Sequence, residues 1–250
     1  MSLSEQQKVM YQPVEHVIHK LMPFFKGFGT INFPLAKDLN IGFEQINANQ
    51  KPLCFVDQNK QLPEQHLGYE ERIYQNGIIA TRKDNWHDFF NAVVWHTFPE
   101  IKTAINSNHI DELHKQKDSL RSRKRDLLTL FDESGVIIIA NDSILELIKQ
   151  HKWQELFIEN KQNWLNKNIK IVTFGHALYE KYLNPYIGMT AQALLLNPMK
   201  KNLTSFISEG LLNNSILQNK SEMSPLPLLG IPGWQKNQNK AFYTNQKYFR

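Results

Sequence analysis

One residue in 250 is cysteine, Cys54. A lone thiol cannot close an internal disulfide, and it leaves no CxxC pair for zinc or redox chemistry. Within Leu53-Cys54-Phe55-Val56 it reads as a small buried hydrophobe rather than a nucleophile. Long apolar runs are also missing. The purest, Val136-Ile137-Ile138-Ile139-Ala140, has the length of a strand, far from the ~18 residues that a membrane helix needs. The opening Met1-Ser2-Leu3-Ser4-Glu5-Gln6-Gln7-Lys8 lacks the charged-then-apolar order of a signal peptide. Gly27-Phe28-Gly29 has neither the third glycine nor the preceding strand of a dinucleotide fingerprint. The chain has no GxxxxGKS/T phosphate loop and no GxSxG nucleophile elbow. These absences set the expectation of a soluble cytoplasmic protein without a membrane partner.

The apolar fraction of 41% and aromatic fraction of 11% are those of a globular chain. At this length most apolar surface can be buried without a staple. No repeat or linker interrupts residues 1–250, so a single domain is expected. The net charge of +5 is mildly basic. It permits a phosphate-bearing ligand or nucleic acid without demanding either.

Apolar residues at 14, 17, 18, 21 and 22 follow helical spacing, with Pro13 at the start and Pro23 and Gly27-Phe28-Gly29 as breakers. A second helix is expected from residue 33 to about 47, and a short strand at 53–56. Arg72-Ile73-Tyr74 and Ile78-Ile79-Ala80 flank Asn76-Gly77, the pair favoured by a tight hairpin turn. A second hairpin is expected at 126–140, with Leu127-Leu128-Thr129-Leu130-Phe131 and residues 136–140 joined by Asp132-Glu133-Ser134-Gly135. Asp142 is expected to cap a helix, and a further helical segment surrounds 153–164. A strand at 169–174 passes through Gly175-His176 into a helix; the segment 191–196 is either strand or buried helix. From Asn213 the composition turns to Asn, Gln, Lys, Ser and Pro. Residues 225–234 are too rich in proline for a regular element, so 213–250 is expected to dock in extended form. The pattern predicts an α+β fold, helices packed on a mostly antiparallel sheet built from hairpins.

Residues 82–99 put an imidazole, a carboxylate, an amide and two indoles on one short amphipathic helix, capped by Asp84 or Asn85. Pro99 ends that helix or begins the next, which runs to about Gln116. At about 100° per residue, His87, Asn91 and Phe98 share a face, and Asp88 and Trp95 lie beside Asn91. His87 and His96 fall about half a turn out of phase, so one straight helix cannot offer both to one metal ion.

Four stretches, residues 85–99, 125–135, 174–180 and 225–234 with the closing Tyr248-Phe249-Arg250, resemble a bacterial family, domain-of-unknown-function family 3025. The resemblance implies no reaction, cofactor or substrate. The family often carries an aliphatic residue where this chain has His96, so the resemblance weakens a catalytic reading of His96.

The chemistry-bearing candidates fall into three groups. His87, with Asp88 and Asn91, lies at an apolar–polar border, where a partly desolvated imidazole serves as base or ligand, walled by Trp86 and Trp95; a structural, hydrogen-bonded histidine is the plainer alternative. His176 and Glu180 share a helix face, and Asp132 lies in the turn at 132–135. If His87, Asp132 and His176 converge, they suit a divalent metal with open positions. Arg121, Arg123, Lys124 and Arg125 form a basic run, read either as a solvated loop or as an anion-binding patch. The favoured expectation is a hydrolytic enzyme using this His/Asp site on a small-molecule or phosphate-bearing ligand. The alternative is a non-catalytic module that holds RNA or an acidic protein through the basic run, although no nucleic-acid motif accompanies it.

Overall fold

The computed structural model describes residues 10–21, 33–58, 62, 64, 66–116, 120–198, 201–236, 238–245 and 247–249. The expected breaks at Pro23 and Gly27-Phe28-Gly29 lie outside the described residues, as do the N-terminal stretch, Lys117 and Arg250. The elements in chain order are α1 (Glu15–Leu21), α2 (Ala36–Leu39), β1 (Cys54–Asp57), α3 (Tyr69–Asn76), β2 (Ile78–Thr81), α4 (Trp86–Thr97), α5 (Pro99–Lys115) and α6 (Arg123–Ser134). There follow β3 (Gly135–Ile139), α7 (Asp142–Lys149), a π-helix (Glu155–Glu159), α8 (Lys161–Leu165), β4 (Lys170–Thr173), α9 (His176–Lys181), β5 (Thr190–Leu196), α10 (Leu203–Leu212), β6 (Met223–Pro227) and α11 (Lys240–Tyr243). The chain divides into two compact units. The first takes its described residues from 14–129 and 201–218, the second from 10–13, 130–198 and 219–249.

In the first unit, β1 and β2 pair in parallel, Cys54 opposite Ile78. This overturns the first expected hairpin. Residues 72–76 are helical, and Asn76-Gly77 is a helix end: Gly77 adopts φ 73° and its N–H donates to the carbonyls of Arg72 and Ile73. A left-handed glycine serves a helix C-terminus as readily as a hairpin turn. A Cβ at Gly77 would also stand 2.0 Å from the Pro52 carbonyl oxygen. Two parallel strands need a crossover, and α3 provides it. Asn85 caps α4 by accepting from the Asp88 N–H at 3.0 Å, and Pro99 is the first residue of α5, where a missing N–H costs nothing. The second expected helix shrinks to Ala36–Leu39. Residues 203–212 form α10, against which α5 sets the Asn108 side chain, donating to the Leu211 carbonyl at 3.1 Å.

In the second unit, one four-stranded sheet has the order β4-β3-β5-β6. β3 runs antiparallel to β4 and parallel to β5, and β5 runs antiparallel to β6. The expected mostly antiparallel sheet built from hairpins is therefore incorrect: one sheet is parallel and the other mixed. The second hairpin fails because residues 127–131 are helical. Leu127, Leu128 and Phe131 are all buried, a spacing of one helical turn. A short apolar run carries no periodicity that separates the two readings. β3 is buried along most of its length, which explains its unbroken apolar sequence.

The 225–234 segment also departs from expectation, since Met223–Pro227 is a strand. Proline is tolerated because β6 is an edge strand. Residues two apart direct their backbone nitrogens to the same side, so Pro225 and Pro227 both avoid the ladder. Leu226, Leu228, Leu229, Ile231 and Trp234 are buried. Asn141, rather than Asp142, is the cap of α7, accepting from the Ile144 N–H.

Candidate functional site

Asp132 and His176 come together in the second unit. Asp132 lies in the last turn of α6, and His176 opens α9 directly after β4. The link is a tight backbone junction. Gly135, at the start of β3, accepts from the N–H groups of Phe174 at 3.1 Å and Gly175 at 2.8 Å. Below it the buried rings of Phe131 and Phe174 stack with centroids 4.8 Å apart. The junction leaves no room for a side chain at residue 175: an added Cβ would lie 2.5 Å from both the Glu133 oxygen and the Gly135 nitrogen. Glycine at 175 thus brings the α6 end and the α9 start close enough for His176 Nδ1 to stand 3.7 Å from Asp132 Oδ2. His176 is 5% exposed and Asp132 is half-buried.

At 3.7 Å the approach is longer than a hydrogen bond and is an electrostatic contact between carboxylate and imidazole. Glu180 follows one turn later on α9 and is half-buried. The frame behind the pair is fixed by tyrosines. Tyr179 donates to the Thr173 carbonyl at 2.6 Å, and Tyr11 donates to the Tyr179 carbonyl at 3.0 Å. Burial pushes the Tyr179 hydroxyl well above the ordinary phenolic range, so it remains a proton donor.

The other predicted residues lie in the first unit. His87 is half-buried on α4. Asp88 is tied to Arg82, with Oδ1 2.8 Å from Nη2 and Oδ2 accepting from the Arg82 backbone N–H at 2.6 Å. That arrangement secures the start of α4. Trp86 packs edge-on against Phe33 at 4.8 Å and stacks on Phe90 at 5.6 Å. Trp95 is fully buried. His96 donates from Nε2 to the Leu39 carbonyl at 2.7 Å and stacks on Phe55. Burial raises the Cys54 thiol, which keeps it protonated and a poor nucleophile.

Asn91 belongs to a polar network that the sequence did not announce. It donates to the Tyr69 hydroxyl at 2.9 Å and accepts from Lys102 Nζ at 2.9 Å. Lys102 is 3% exposed, and its ammonium lies 5.2 Å from the Trp95 ring centroid. One turn on, Asn106 donates to the Glu70 carbonyl at 2.9 Å and to its carboxylate at 2.7 Å. Among the described residues, Trp95 Nε1 and Asn106 Oδ1 have no hydrogen-bond partner. The signal lay in the spacing of Lys102, Asn106 and His109, which share one helical stripe. That stripe reads equally well as a solvated face, and only tertiary packing buries it.

Most of the basic run is engaged within the chain. Arg121 pairs with Asp126 at 3.1 Å and also bonds Thr129. Lys124 donates to Asn214, and Arg125 donates to Gln116 at 3.1 Å. Arg123 is exposed. For metal chemistry, no group of three or more His, Cys, Asp or Glu that could hold an ion occurs among the described residues. His87 and the Asp132–His176 pair belong to different units. No described helix is long and apolar enough to cross a membrane.

No curated protein and no solved structure matches the chain. A family model does match, over residues 53–250, and that span holds both the Asp132–His176 pair and the Lys102 network. The chain therefore belongs to the family described as Protein of unknown function (DUF3025).

Proposed function

We propose that this protein is a hydrolytic enzyme in which His176, oriented by Asp132, is the general base that activates water against a small-molecule ester. The observation that carries this reading is the 3.7 Å approach of Asp132 Oδ2 to His176 Nδ1 in largely buried surroundings. Such a carboxylate sets the tautomer and steadies the imidazolium that forms when Nε2 takes a proton. A positioned base of this kind contributes about 10²–10⁴-fold to rate. The same two side chains would be protein ligands for a divalent ion, and elemental analysis of the purified protein tests that version.

The direct experiment is a hydrolysis screen with p-nitrophenyl carboxylate and phosphate esters, followed by His176→Gln and Asp132→Asn. His176→Gln is expected to remove the activity while circular dichroism and melting stay near wild type. Asp132→Asn is expected to lower kcat by about 10²-fold or more. Wild-type rates in both variants, or no turnover of any ester by the wild type, would overturn the assignment.

A further inference from the structure

A cleft of about 370 Å³ in the second unit lies between the π-helix and α11. Its volume is in the range of small-molecule sites. Three features set it apart from an ordinary surface groove.

The first is the backbone. Phe157, Ile158 and Glu159 of the lining all belong to the π-helix. Such turns are rare and are frequent at functional sites. Asn160 closes this one, with both its backbone N–H and its side-chain amide donating to the Glu155 carbonyl at 3.0 Å.

The second is rigidity. The floor is formed by Phe157 and Tyr243, whose rings stack at 5.9 Å. Tyr243 donates to the Gly230 carbonyl at 2.9 Å. Gln238, on the wall, uses its whole amide on the backbone: it accepts from the Gly233 N–H at 2.9 Å and donates to the carbonyls of Leu229 at 2.8 Å and Ile231 at 2.7 Å. The cleft is therefore preformed, and a ligand entering it loses little to ordering.

The third is charge. Lys161 and Lys240 both line the cleft, and among the described residues neither has an acidic partner. Among the described residues of the lining Glu159 is the one acidic side chain, so the cations prevail. Beside them Ile158 is 39% exposed.

We infer that this cleft binds a small organic anion: an apolar body set against Ile158 and the aromatic floor, and one carboxylate or phosphate group between Lys161 and Lys240. The inference is independent of the Asp132–His176 reading. Phenyl phosphate and benzoate serve as anionic probes, with benzyl alcohol and benzylamine as neutral and cationic counterparts. Binding is measured by calorimetry and ligand-observed NMR on the full chain at two ionic strengths. One or both anions should bind, weaken with salt, and lose about tenfold in affinity in the Lys161→Ala/Lys240→Ala double variant. Both lysines are exposed, so that variant should fold, which its melting curve verifies. The better-bound anion distinguishes a phosphate from a carboxylate ligand. Equal binding of the neutral or cationic analogue, unchanged affinity in the double variant, or no anion binding up to about 1 mM would overturn the inference.

Discussion

Gly175→Ala tests how the Asp132–His176 pair is held. The added methyl group would lie 2.5 Å from the Glu133 oxygen, 2.5 Å from the Gly135 nitrogen and 2.6 Å from the Glu133 carbonyl carbon. All three are backbone atoms at the junction of α6 and β3, so no side chain can rotate away. Ordinary non-bonded contact needs about 3.5 Å. The β4–α9 turn must therefore retreat by about 1 Å. Overpacking of this kind costs about 1–3 kcal/mol. The retreat also stretches the two hydrogen bonds to the Gly135 carbonyl, each contributing about 1 kcal/mol. The sum is about 3–5 kcal/mol. For a chain of this size that lowers the melting temperature by about 10 °C. Guanidinium titration and thermal circular dichroism measure it. Gly68→Ala is the control: its Cβ would meet only the movable end of the Glu71 side chain, at 3.0 Å. If Gly175→Ala melts within a degree or two of wild type, the close-approach argument is wrong. The same retreat separates His176 from Asp132, so any hydrolysis found in the ester screen should fall with stability held constant by working well below the melting point.

Two further outcomes follow from the geometry. Asn91→Ala removes the amide acceptor of the buried Lys102 ammonium. It should destabilise by about 1.5 kcal/mol, whereas Tyr69→Phe, which loses a more exposed hydroxyl, should cost less than half of that in the same denaturation assay. Equal losses would argue that Lys102 is held by other groups. In alkali, burial pushes Tyr182 and Tyr243 up to about 12 from an ordinary 10.0. The folded chain holds these protons more tightly than the unfolded chain, so the stability concerned is complete below pH 10 and is lost as pH rises toward 12, by about 1.4 kcal/mol per pH unit for each tyrosine. Denaturation midpoints that stay flat from pH 9 to 11.5 while tyrosinate absorbance rises would contradict this.

Local signals suffice where one turn of chain decides the outcome. Asn85 caps α4 because its side chain reaches an amide three residues away. Pro99 opens α5 for an equally local reason. Asp132 and His176 were legible as candidates because a carboxylate and an imidazole beside glycines are visible as letters. Their meeting was not, because it depends on Gly175 pressing against a backbone forty residues earlier in the chain. The Lys102 stripe shows the converse. Its spacing was in plain view, but burial on both sides of α5 belongs to α3, α4 and α10.

By itself, then, the sequence determined where helices begin and end around α4 and α5, and that β1 and β4 are strands. Tertiary structure decided that Asn76-Gly77 ends a helix, that residues 127–131 coil rather than extend, and that a proline-rich segment becomes an edge strand. The reason is one of range. Caps, turns and periodicity act over a few bonds of the same segment, and each of these three segments satisfies two conformations locally. Strand pairing and the burial of charge are settled by partners far away in the chain, whose contributions no local pattern contains.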